Sequence, residues 1–156
     1  MGKGAGKGGH CQVPCGIFDD PKLVADLREA CATVRKAVEK VAAVPAAGGA
    51  EGGAAAATAA QACNQASRWV STKDDHCDKI IEVVVNYCLC QRIKPFGADS
   101  MFPTLRGYLE ALAAHHIVLT SAVRVKQTVD ARAVDALDDA VDSIARMYMP
   151  PPPASL

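Results

Sequence analysis

From Val24 to Val41, apolar side chains recur at strictly alternating steps of three and four residues: Val24, Leu27, Cys31, Val34, Val38 and Val41. That period is the seam of an α-helix with one buried face. Val70, Cys77, Ile81, Val84 and Cys88 mark an inner face on a second helix over about residues 60–93. Phe102, Leu105, Leu109, Leu112, Leu119 and Val123 form the stripe of a third helix that begins near Pro103. Val134, Leu137, Val141, Ile144 and Tyr148 mark a fourth. Four helices that each hide one stripe, joined by short connections apart from the first, predict an all-α chain folded as an antiparallel up-and-down four-helix bundle.

Local punctuation supports these limits. Asp19-Asp20-Pro21 is a helix start, with an acidic cap and proline in the first turn, and Pro45 ends that helix. Residues 46–60 are an alanine- and glycine-rich linker, of which Ala54 to Ala60 also suit the first turns of the next helix. Lys94-Pro95-Phe96-Gly97 breaks the second helix, and Pro150 to Pro153 stop the fourth. The chain thus divides into a tail at 1–9, a compact loop at 10–18, the bundle at 19–149 and a proline-rich tail at 150–156.

Half of the 156 residues are apolar but only 4% are aromatic, so the core must be aliphatic and alanine-rich. Seventeen basic and seventeen acidic residues cancel, which removes the electrostatic case for nucleic acid or a membrane surface as partner. No apolar run approaches the roughly 20 residues of a membrane span. Met1 to Gly9 has two lysines with no hydrophobic segment behind them, so no secretory signal is expected. With seven cysteines, an odd number, the chain reads as an intracellular, cytoplasmic protein with mostly reduced thiols. Cys31, Cys77 and Cys88 fall on apolar faces as small core residues, and Cys88 and Cys90 point in different directions on a helix. His116 shares the third stripe and is expected in the core or at a helix end, whereas His115 is expected in solvent.

The loop reads His10-Cys11-Gln12-Val13-Pro14-Cys15-Gly16-Ile17-Phe18. Two thiols stand four residues apart, with proline before the second and glycine after it, so the backbone curls and brings both sulfurs to one point. Thiolates beside an imidazole favour a late first-row transition metal over calcium or magnesium. A disulfide or half of a zinc site is the plainer reading, but no second Cys-x-x-Cys or His-x-x-x-His pair completes a zinc set.

His10, Cys11, Pro14, Cys15 and Gly16, followed by an aliphatic residue, an aromatic and Asp19, make this stretch similar to the amino-terminal hook of nickel superoxide dismutase. Fainter likeness extends through Arg68, Lys73-Asp74, Lys94-Pro95, Phe102-Pro103 and Leu105 to about Tyr148. The resemblance implies one nickel ion per chain, held by the amine and imidazole of His10, the backbone nitrogen of Cys11 and the thiolates of Cys11 and Cys15. It implies disproportionation of superoxide to oxygen and hydrogen peroxide by Ni(II)/Ni(III) cycling, a cis peptide before Pro14, and a homohexamer of bundles. Thiolates and a deprotonated amide are strong donors that stabilise the higher oxidation state.

A free amine on His10 requires a processing protease to remove residues 1–9, for which Gly8-Gly9 is a fitting junction. Cleavage after Lys7 would instead leave Gly-Gly-His, a square-planar copper or nickel chelator. The family's glutamate sixteen positions after the histidine corresponds to Asp26, and its arginine on the second helix to His76; these are the candidates to orient the imidazole. Phe18 stands where the family has one tyrosine and Arg92-Ile93 where it has another. Lys94 and Lys73 are candidates to draw in the superoxide anion, against the reading that both are ordinary solvated lysines. The alternative functions are a nickel- or copper-binding protein or an inactive relative without turnover, and a helical interaction domain with a disulfide-bonded hook.

Overall fold

The computed structural model describes residues 18–44, 53–98 and 100–149. The tail at 1–9, the expected ligands His10, Cys11 and Cys15, the Val13–Pro14 peptide and the tail at 150–156 lie outside the described residues. Four α-helices follow one another: α1 (Asp20–Ala42), α2 (Gly53–Val83), α3 (Leu105–Lys126) and α4 (Ala131–Tyr148). A nine-residue π-helical segment, Val84–Arg92, continues α2 without a break. No strand occurs among the described residues.

Helix starts are fixed by side-chain caps that satisfy otherwise orphaned backbone donors. Asp19 accepts the N–H of Lys22 at 3.0 Å, with Pro21 in the first turn. Thr104 Oγ1 accepts from Gly107 at 3.1 Å, and Asp130 from Arg132 at 2.9 Å. α2 begins at Gly53, inside the alanine- and glycine-rich stretch, because alanine is the best helix former and needs no partner to propagate one.

Each helix packs on its neighbours in the chain, and α4 closes on α1. The result is an up-and-down bundle whose centre is aliphatic, as the scarcity of aromatics requires. Leu23, Val24, Leu27, Cys31, Val34 and Val38 of α1 are buried, and Val134, Leu137, Val141, Ile144 and Tyr148 of α4 meet them. Each fully buried Leu, Ile or Val contributes roughly 1.5–3 kcal/mol. Outside this seam Arg28 reaches Asp142 at 2.9 Å, and Arg35 reaches Asp135 and Asp138. These exposed pairs set the register of α1 on α4 more than they stabilise it. On α2 the buried positions are Cys77 and Ile80, continued by Val84 and Cys88 in the π-helical segment, with Val70 and Ile81 at the edge.

The third helix is turned from the expected orientation. Its buried residues are Ala111, His115, Val118, Ala122 and Val125, while Leu105 and Leu109 are 52% and 54% exposed and Val123 also faces outward. At 100° per residue the two stripes lie about 120° apart on the helix. The small Ala111 and Ala122 win the inner face because they let α3 approach its neighbours closely. The one-residue difference between His116 and His115 follows from the same rotation: His116 is exposed and His115 is fully buried, the reverse of the sequence expectation.

Two buried polar groups are satisfied in different ways. His115 Nδ1 donates to its own helix at Ala111 O, 2.7 Å away, and Nε2 accepts from the Tyr148 hydroxyl, also at 2.7 Å. Lys73 is 1% exposed and spans from α2 to the last turn of α3, donating to the carbonyls of Val125 (2.7 Å) and Lys126 (2.6 Å). Asp74 Oδ1 lies 3.0 Å from the same ammonium but without hydrogen-bond geometry, so it contributes charge alone. A cation on terminal carbonyls complements the negative end of a helix dipole. Lys73 is therefore a helix cap rather than a solvated lysine.

Burial lowers the His115 pKa below that of a free imidazole, with the Ala111 carbonyl opposing. The unfolded chain consequently binds the extra proton first, and stability present above about pH 6.5 is lost as pH falls below it. Metal-free protein should lose melting temperature between pH 6.5 and 5.5, and His115→Gln, which keeps an acceptor for Tyr148 without titrating, should flatten that slope. Lys73→Met strands the Lys126 carbonyl and leaves Val125 O with the Thr128 N–H alone, at 3.2 Å, and should cost roughly 1–3 kcal/mol in a denaturant titration.

Candidate metal centre

Phe18 is the first described residue, and it carries the chain from the hook into α1. Around it the structure gathers side chains from the two ends of the long helical hairpin. Asp20, in the first turn of α1, accepts the Tyr87 hydroxyl at 2.6 Å on Oδ1. Arg92 donates to both oxygens of the same carboxylate, Nε to Oδ1 at 3.0 Å and Nη2 to Oδ2 at 2.6 Å. The Arg92 guanidinium also lies over the Phe18 ring, 4.9 Å from its centroid, and Phe18 meets Tyr87 edge-on at 5.7 Å. Burial, then the Asp20 carboxylate, pushes the Tyr87 hydroxyl well above its ordinary range, so it remains a donor at every working pH.

The π-helical segment makes this convergence possible. Five residues apart on an α-helix, Tyr87 and Arg92 would point about 140° away from each other. In a π-helix the hydrogen bonds run to the fifth residue, as in Ile93 N–H to Cys88 O at 2.8 Å, and residues five apart come onto one side. Both side chains then reach a single carboxylate. In the sequence Asp20 reads only as part of a helix start, and Arg92 only as standing where the family has a tyrosine. The one available signal was the acidic residue immediately beyond the loop.

Asp26 and His76, expected to orient the imidazole, make hydrogen bonds within their own helices. Asp26 accepts from Lys22 Nζ at 2.8 Å one turn away, and that ammonium holds its carboxyl below the usual range. His76 Nδ1 lies 2.9 Å from Thr72 O on its own helix. Each is satisfied within its own helix, and the structure does not join them as a pair. Lys94 is exposed two residues beyond Arg92, on the stretch that follows the π-helical segment.

The three core cysteines are poor candidates for metal. Cys31, Cys77 and Cys88 are buried free thiols, and burial pushes them up to about 12, 11 and 11. A ligand must be thiolate, so these stay protonated. Among the described residues no group of three or more His, Cys, Asp or Glu side chains could hold a metal ion. The expected donors, the imidazole of His10 and the thiols of Cys11 and Cys15, lie outside the described residues; as residue types they form a soft set whose chemistry suits nickel.

No curated protein and no solved structure matches the chain. The family model described as nickel-containing superoxide dismutase matches residues 6–150, a span that includes the whole hook and the whole bundle. On that match, together with the helical fold, the chain belongs to the nickel-containing superoxide dismutase family, oxidoreductases that act on superoxide with a nickel cofactor.

Proposed function

We propose that His10, Cys11 and Cys15 are the nickel ligands of this chain, acting after cleavage before His10. The carrying observation is that the family match spans this donor set while burial keeps Cys31, Cys77 and Cys88 as thiols. The amine and imidazole of His10, the backbone nitrogen of Cys11 and the two thiolates make up the proposed set. Nickel in that set supplies one-electron exchange in both directions, so that two superoxide anions and two protons give oxygen and hydrogen peroxide. The thiolates make that exchange accessible by strong donation.

Lys94 is the cation that draws superoxide towards this end of the bundle, because it is exposed and lies two residues from the Arg92 side chain that covers Phe18. Lys73 has no part in this, being buried under the end of α3. Assembly as a homohexamer, the state the family resemblance implies, would cover the outward stripe of Leu105, Leu109 and Val123 on α3. Free, reduced core cysteines support a cytoplasmic setting. Among the described residues no helix is long and apolar enough to cross a membrane.

Active protein should have an intact mass beginning at His10 and one nickel per chain, and Cys11→Ser should lose both metal and activity. A full-length mass in fully active protein would overturn the cleavage. Nickel loading should weaken as pH falls, since the thiols, amide and amine must all release protons. Lys94→Gln should lower kcat/KM roughly two-fold at low salt and weaken its salt dependence. Lys73→Met should leave that salt dependence unchanged.

A further inference from the structure

We propose that Arg92, with Tyr87, is the positioning residue of the nickel site: it locks the Phe18–Asp20 exit of the hook onto the bundle through the Asp20 carboxylate. The inference rests on the reading that His10, Cys11 and Cys15 hold the metal. Its own support lies among described residues. Asp20 carries three donors, two from Arg92 and one from Tyr87. Phe18 is packed by the same two side chains, with the Arg92 guanidinium over its ring and Tyr87 in an edge contact. One cluster thereby fixes both residues that flank Asp19, whose own carboxylate caps α1.

Chain connectivity carries that order to the metal. Cys15 precedes Phe18 by three residues, so its Cα stays within roughly 11 Å of the Phe18 Cα whatever path the loop takes. A loop of this length has no core of its own, and its ligands can be pre-arranged only from its attachment. Binding to a pre-arranged set avoids the ordering cost that a loose loop would bear.

Arginine is specifically required. Its planar fork meets both carboxylate oxygens while its central carbon lies over the Phe18 ring. Lysine offers one point charge and no face. The π-helical turn is required as well, since it alone brings Tyr87 and Arg92 to the same side. The segment's function in this proposal is to aim two donors at the start of α1.

The test compares nickel-loaded wild type with Arg92→Gln, Arg92→Lys, Asp20→Asn and the Asp20→Asn/Arg92→Gln double variant. Nickel dissociation is followed by transfer to a chelator. Arg92→Gln and Arg92→Lys should both release nickel roughly 10-fold faster or more, the scale of outer supporting groups at metal sites. The double variant should be no worse than the worse single, as expected of groups acting as one unit. Arg28→Gln, which breaks the Arg28–Asp142 pair about two turns further along α1, serves as the control and should release nickel at the wild-type rate.

A second readout needs no metal. Amide exchange over residues 16–20 of metal-free protein should quicken in Arg92→Gln and not in Arg28→Gln. Wild-type nickel release and exchange in both Arg92 variants would overturn the proposal. A wild-type protein that takes up no nickel would instead overturn the ligand reading, and the exchange measurement then decides the anchor alone.

Discussion

The carboxylate of Asp20 ties the first turn of α1 to the last turn of the second helical span, and the attachment of the hook depends on that tie. Its side chain is 16% exposed and that of Arg92 28%, so the pair is neither dry nor freely solvated. At this depth an ion pair adds little net stability, because desolvation offsets much of the attraction. Its value is geometric. Two parallel N–H donors and a phenol leave the carboxylate one orientation, and Phe18 is packed by the same groups. The bundle thus presents a rigid edge where the hook meets it.

What the sequence makes legible follows from how many apolar faces each helix has. α1 and α4 carry one stripe each, and every expected residue from Val24 to Val38 and from Val134 to Tyr148 is buried. α3 is different, since leucine and valine on one side compete with alanine and valine on another. Periodicity alone weighs the larger residues more heavily, so it selects the Leu105–Leu109 face. Packing reverses the choice, because alanines allow the close approach of helices that a core poor in aromatics needs. Placement of His115 and His116 then follows from one rotation and needs no separate cause.

The site divides in the same way. The family is legible because the motif from His10 to Phe18 lies in adjacent letters, and no tertiary contact is needed to see a histidine and two cysteines so close in sequence. The hook's anchor is not legible, for two reasons. Asp20 sits in a helix start, where an acidic residue already has a sufficient explanation. Tyr87 and Arg92 are five apart, a spacing that has no meaning on an α-helix and becomes a shared face only in a π-helix. Lys73 illustrates a third limit. Nothing around it in the chain distinguishes a surface lysine from one that reaches the carbonyls of Val125 and Lys126 some fifty residues later.

The core's treatment of its own cysteines completes this division of labour. An enzyme that releases hydrogen peroxide exposes every thiolate nearby to oxidation, and the thiolate is the reactive form. Cys31, Cys77 and Cys88 are buried at 3%, 0% and 0% exposure, and burial is the leading cause of their raised pKa values. They therefore fill space as small apolar side chains, react slowly with the product, and do not compete for nickel. Exposed Cys63 and Cys90 lack that protection. The bundle keeps redox chemistry at its edge by making its interior a place where sulfur cannot ionise. In the proposed site, the hook needs the opposite condition, with thiols that shed their protons on meeting the metal. A single chain can meet both demands only by holding the two environments apart, and the Asp20–Arg92 tie stands at the boundary between them.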